Sequence, residues 1–164
     1  MRRRRELRPL SSEHQQALLV AFQLRKSLAG QAESAGAPKE LPGLVSLARR
    51  YEVNVFRPHT RAEEDLLGGC LAEAELRRLA GEHAELTRLL AIAKGADGTA
   101  TRSALAAFAE LLERHVRWED RELFPAAERR LDDAALASIE GELEKRLVLA
   151  RTEAETRRTA PNRA

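Results

Sequence analysis

Residues 115–125 read HVRWEDRELFP, and residues 57–67 read RPHTRAEEDLL. Each stretch sets a histidine four residues before a glutamate: His115 with Glu119, and His59 with Glu63. On an α-helix that spacing puts imidazole and carboxylate on one face, about one turn apart. The apolar residues around them continue the same stripe. His59 follows Val55 by four residues and precedes Leu66 by seven, and His115 follows Leu111 by four and Phe108 by seven. Both pairs are therefore expected to face a helical interior. A lone carboxylate there is costly unless paired or metal-bound, and two ionised ones facing each other repel. A pair of cations between them removes the repulsion.

The remaining two histidines obey the same rule. His14 lies four residues from both Leu10 and Leu18, and His83 follows Leu79 and precedes Leu86 and Leu90. The 3–4 periodicity predicts helices over about 11–30, 41–67, 72–93 and 101–123, with a shorter fifth over about 133–150. Ser12 with Gln15 fits a capping box at the start of the first. GQAESAGAPKELPG (30–43) reads as a loop, Gly68-Gly69 ends the second helix, and Lys94-Gly95 ends the third. Pro125 is expected to end or kink the fourth, and Asp132-Asp133 to cap the fifth. Pro58 allows two readings, a kink aiming His59 inward or a helix that restarts there. The expected fold is all-α, an antiparallel up-and-down four-helix bundle with an extra short C-terminal helix. One histidine falls on each of its four main helices.

Composition agrees and narrows the function classes. The 164 residues suit one domain; 33% are charged, only 4% aromatic, and the net charge is +2. Ala, Leu, Arg and Glu dominate, which favours helix and nearly excludes an all-β fold. A single cysteine excludes disulfide frameworks and multi-cysteine metal sites; Cys70 has no activating neighbour and receives no role. No apolar run is long enough to span a bilayer and the N-terminus lacks a signal-peptide pattern, so a cytoplasmic protein without a membrane contact is expected. Residues 1–8 hold five Arg against one Glu and 151–164 four Arg against two Glu. We read 1–8 as a basic arm, 9–150 as the bundle and 151–164 as a frayed tail. No aromatic residue interleaves with the N-terminal arginines, which argues against nucleic acid and leaves a protein partner as another use for the arm.

Ligand type limits the metal. Imidazole and carboxylate without thiolate suit Fe, Mn, Zn, Ni or Cu. Six side chains, His14, His59, Glu63, His83, His115 and Glu119, are too many for one tetrahedral zinc. Inward-facing histidines and carboxylates in a four-helix bundle are the ligand type of di-iron and di-manganese sites, and two irons are the expectation. Glu64, Glu82 and Glu122 are candidates to accept from histidine N–H groups, or are ordinary solvated glutamates. Trp118, Phe22, Phe56 and Phe108 either wall a dry pocket or simply pack the core, the second reading being favoured. Tyr51, two turns before His59, offers little ground for radical chemistry.

The order His, H-x-x-x-E, His, H-x-x-x-E, carried by SSEHQQAL, RPHTRAEEDLL, LAGEHAEL and HVRWEDRELFP, resembles the hemerythrin-like, or HHE cation-binding, family over about residues 8–145. The resemblance implies a non-haem di-iron centre held by His14, His59, Glu63, His83, His115 and Glu119, with Glu63 and Glu119 and an oxo or hydroxo group bridging the metals. It departs from the oxygen carriers in two places. Leu79 and Thr87 stand where a second histidine of the third helix would be, and the fourth helix offers Glu119 at +4 as well as Asp120 at +5 from His115. We favour Glu119 because it repeats the spacing at His59, with Asp120 the alternative. Without that histidine each iron would have about five ligands and, if six-coordinate, an open position suited to reaction with O2, NO or peroxide. The resemblance implies a metal- and ligand-binding or sensing module more than a dedicated enzyme. The alternative is an iron-handling or redox protein, donating iron for iron–sulfur repair or reducing peroxide.

Overall fold

In the computed structural model, residues 7–95 and 97–159 are described, and they are helical with short connections and no strand among them. Seven helices follow in order: α1 (Arg8–Leu28), α2 (Leu41–Tyr51), α3 (Arg57–Leu67), α4 (Glu73–Gly95), α5 (Gly98–Trp118), α6 (Phe124–Arg130) and α7 (Asp133–Thr159). Helix α5 packs between α1 and α4, and α7 lies against α3 and the start of α1. The loop after α1 turns through Gly30 and Gly36, whose φ angles of 77° and 57° suit a residue without Cβ.

Helix α1 begins earlier than its capping-box signal. It starts at Arg8 with a proline in its first turn and no side-chain cap, so Ser12 lies inside the helix and does not start it. Burial explains the extension. Leu7 and Leu10 are both fully buried against Leu67, Phe124 and Leu143, and a helical first turn places them together. Leu7 thus belongs to the core. The rest of the expected basic arm, residues 1–6, lies outside the described residues. At the other end, Asp132 caps α7 by accepting from the Ala135 amide at 2.8 Å. Helix α7 then runs to Thr159 and spans 27 residues, so it is not short. Residues 151–159, read as tail, continue it, and 160–164 lie outside the described residues.

Both internal prolines sit in continuous helical backbone. A wide π turn, Glu52–Phe56, joins α2 to α3, and a second, Glu119–Leu123, joins α5 to α6. In each case the proline comes two residues after the π turn: Pro58 and Pro125. A proline in a helix body lacks the N–H for the carbonyl four residues back and crowds that carbonyl. Those carbonyls belong to Asn54 and Arg121, and both lie within the wide turns. The helix therefore neither restarts at Pro58 nor ends at Pro125; it widens just before each one.

Two apolar layers flank a polar one. Leu24, Leu44, Leu86, Leu105, Phe108 and Leu112 anchor one layer, and the Leu7–Leu143 cluster forms another. All four histidines fall between them, because each follows and precedes core residues on its own helix: Leu10 and Ala17 for His14, Phe56 and Ala62 for His59.

Candidate metal centre

The six residues singled out by spacing are all buried: His14 2%, His59 6%, Glu63 0%, His83 5%, His115 2% and Glu119 1% exposed. They converge from four helical segments. His14 Nε2 approaches His59 Nε2 to 3.2 Å, and His83 Nε2 approaches His115 Nε2 to 3.1 Å. The two glutamates stand between these pairs. Glu63 places Oε1 3.0 Å from His59 and Oε2 3.4 Å from His83. Glu119 places Oε2 3.2 Å from His14 and Oε1 3.0 Å from His115. Each carboxylate thus divides its oxygens between the two histidine pairs.

The outer edge of each imidazole is engaged as well. Every Nδ1 donates to a carboxylate carried by another helix. His59 bonds Glu13 at 3.0 Å, His83 bonds Glu64 at 2.7 Å, His115 bonds Glu82 at 2.8 Å, and His14 bonds Asp120 at 3.1 Å. The acids form a closed ring around the bundle: α1 serves α3, α3 serves α4, α4 serves α5, and the π turn after α5 serves α1. Each ring acid is the immediate sequence neighbour of one of the six inner residues. With Nδ1–H committed outward, each imidazole in its neutral form turns the Nε2 lone pair inward, so its tautomer is set by this ring.

The consequence is a buried cluster of acceptors. Facing lone pairs on imidazoles about 3 Å apart repel unless a cation lies between them. Both oxygens of Glu63 and Oε1 of Glu119 are buried without a hydrogen-bond donor, a deficit that normally costs stability. The charge demand appears in the acid–base equilibria too. Burial pulls the His115 pKa down, yet Glu119 and Glu82 outweigh it and push it up to about 9. For His59, burial is likewise overcome by Glu63 and Glu13, and its pKa lies well above the ordinary value. Burial would raise the Glu119 pKa, but His115 and His14 hold it well below the usual carboxylate range. Two overlapping groups have ligand atoms all within 4.8 Å of one another: His14, His59, Glu63 and Glu119, and Glu63, His83, His115 and Glu119. The nitrogen and oxygen donors of each group could hold a metal ion.

Several sequence expectations are changed by this geometry. Asp120 is in neither group; its carboxylate lies on the outer nitrogen of His14. Glu64 and Glu82 accept from histidines as expected, whereas Glu122 is exposed and is replaced in that role by Glu13 and Asp120. Phe22 is 37% exposed and walls nothing. Trp118 packs with Leu79 and Leu123 under the Arg78 guanidinium, 4.1 Å from its ring, and Phe108 is buried in the main core. A small cavity at the centre is lined by His14, His59, His115 and Glu119 together with Tyr51, Phe56 and Ala17. Of the four aromatic candidates only Phe56 lines it. Tyr51, given no role from the sequence, lines it as well. Cys70 donates to the Leu67 carbonyl, and burial raises its pKa, in keeping with an unreactive thiol.

The fold and the site define a helical metal-binding protein. Residues 5–127 match the hemerythrin HHE cation binding domain, and the chain belongs to that family. No curated protein and no solved structure matches the chain. Among the described residues, no helix is long and apolar enough to cross a membrane.

Proposed function

We propose that this domain holds two iron ions and binds or senses a small molecule such as O2 or NO. His14 and His59 would hold one ion, His83 and His115 the other, with Glu63 and Glu119 each giving one oxygen to each ion. The observation that carries this reading is the division of each carboxylate between the two histidine pairs; a single-ion site has no use for it. When bound, such a pair supplies redox-active positions at which a small molecule attaches. The chain's own part is to fix the imidazoles through the ring of acids, neutralise the cations with two buried carboxylates, and keep bulk water out with the apolar layers. The short connection between α4 and α5 supports an antiparallel course for that pair, as an up-and-down bundle requires.

Metal analysis and absorption spectroscopy of aerobically purified protein test the proposal. The expected result is two irons per chain and the charge-transfer bands of a bridged pair. Anaerobically reduced protein should then change its spectrum on exposure to O2 or NO. One ion per chain, or none after iron supplementation, would overturn it.

A further inference from the structure

Between its two arginine-rich ends the chain carries more acid than base, yet five arginines gather around one open groove of about 470 Å³. Arg25 comes from α1, Arg78 from α4, and Arg114, Arg117 and Arg121 from α5 and the π turn after it. The last three stand at three- and four-residue spacing, which puts them on one helical face. Three glutamates line the groove as well, and they neutralise only part of the charge. Glu113 holds Arg25 at 3.0 Å and Arg117 at 2.6 Å. Arg114 and Arg121 are exposed, and no ion pair among the described residues engages either of them, nor the neighbouring Glu110 and Glu122. The groove also lies close to the centre. Trp118 lines it, with its ring 6.2 Å from that of His115. Arg78 covers the indole at 4.1 Å and donates to Glu82 at 2.9 Å, and Glu82 accepts from His115 at 2.8 Å. A single layer of side chains thus separates the groove from a histidine of the centre.

We propose that this groove docks the acidic face of a small electron-carrier protein, which passes single electrons to the centre. This rests on the di-iron reading above and adds to it a partner and a point of entry. In each transfer the reduced carrier gives up one electron and one ferric ion becomes ferrous, with no covalent bond made or broken. The charge pattern selects the partner. Arg114 and Arg121 call for carboxylates, which guanidinium groups bind in a planar, two-pronged fit. A nucleic acid suits the groove less well, because its phosphates offer only negative charge to Glu110 and Glu122. A protein face with many acids and a few bases meets both signs. The location selects the task. A carrier seated here rests against Trp118 and comes within one side chain of His115, closer than a partner that only needed to be held would have to be.

The test uses the full iron-loaded chain in its oxidised state, with a plant-type ferredoxin, an acidic one-electron carrier, as the probe. Wild type is compared with the double variant Arg114→Glu, Arg121→Glu. The control is Arg102→Glu, Arg129→Glu, which makes the same change in net charge at exposed arginines outside the groove. Iron content and thermal unfolding are measured for all three. Calorimetry with oxidised ferredoxin reads binding. Stopped-flow spectroscopy with reduced ferredoxin reads the rate of reduction, and dithionite serves as a small reductant for comparison. The groove variant is expected to bind ferredoxin about tenfold more weakly at low salt and to be reduced by it about tenfold more slowly. Dithionite should reduce it at the wild-type rate. The wild-type rate with ferredoxin should fall as salt is added. An equal loss in the control variant would overturn the proposal, since net charge alone would then account for it. So would the absence of ferredoxin binding to wild type, or tighter binding of a short DNA duplex than of ferredoxin. Groove-dependent binding with a groove-independent rate of reduction would mean that electrons enter elsewhere, and would overturn it too. Absence of redox-active iron in wild type would instead sink the functional proposal itself, which the metal analysis reveals before any carrier is added.

Discussion

The two π turns bury a glutamate each at the same position, and the two glutamates live in opposite surroundings. Glu52 opens the first turn and is 2% exposed; Glu119 opens the second and is 1% exposed. Each turn is followed by a proline at the same offset. Glu52 meets the Lys94 ammonium at 2.9 Å and the Arg57 guanidinium at 2.7 Å. Burial would raise its pKa, but those cations bring it below the usual value. Glu119 meets imidazoles whose outer protons are already spent on the ring of acids. No lysine or arginine reaches it in any ion pair of the described residues. A buried carboxylate with its own side-chain cations is a structural strut, whereas one surrounded by inward lone pairs calls for a cation from outside the chain.

That contrast is broken most directly by removing each carboxylate in turn. Glu119→Ala should lower the metal content from two ions per chain to one or none, read by elemental analysis of the purified protein. Glu52→Ala should leave metal content unchanged and instead reduce unfolding free energy by about 1–3 kcal/mol, since Lys94 and Arg57 can turn to water. If the two variants lose metal equally, Glu52 is part of the site and the distinction fails.

A second difference lies in the response to pH. Without a metal the His115 imidazole takes up a proton instead, because Glu119 and Glu82 outweigh burial and raise its pKa to about 9 from an ordinary 6.5. A raised folded-state pKa contributes stability in full below about 6.5, and that contribution is lost as pH rises through about 9. The depressed Glu119 pKa works the other way, contributing above the ordinary carboxylate range and losing that contribution on acidification. Metal-free protein should therefore melt at a lower temperature at pH 9 than at pH 6.5, while iron-loaded protein should not follow that fall. Loading near pH 7 should also release protons, measurable by calorimetry in buffers of different ionisation enthalpy. A metal-free melting temperature that does not fall across this range would mean the histidines are neutral without metal.

Much of the inner site was legible in the sequence, and the reason is geometric. Helical periodicity places residues four apart on one face, so His59 with Glu63 and His115 with Glu119 declare their direction without tertiary information. His14 and His83 do so through their apolar neighbours. The ring of acids was only half legible. Glu64 and Glu82 could be picked as acids next to inner residues, and Glu13 and Asp120 carry the same signal, but which of them reaches a neighbouring imidazole depends on how the helices are rotated against each other. Asp120 therefore stayed an alternative to the favoured Glu119 in the sequence; in the structure its carboxylate lies 3.1 Å from the outer nitrogen of His14. The π turns leave no periodic signature, so the prolines read as possible ends. Tyr51 shared its helix with the core stripe, and nothing in one sequence separates a core tyrosine from one lining a cavity.

The smallest expected effects lie in the ring, and they separate an acid that holds a ligand in place from one that merely sits nearby. Glu82→Ala removes the acceptor of His115 Nδ1–H, freeing that imidazole to rotate or to present the wrong tautomer. Loss of such an outer acceptor typically costs about 10- to 100-fold in metal affinity, so Glu82→Ala should keep both ions at saturation yet lose one faster to a chelator. Asp120→Asn should behave in the same way through His14. Glu122→Ala, one turn from Glu119 but exposed, should release iron to the chelator at the wild-type rate. The amide in Asp120→Asn can still accept from Nδ1–H, so its loss should be milder than that of Asp120→Ala. An order with Asp120→Asn worse than Glu119→Gln would return Asp120 to the ligand set and move Glu119 out of it.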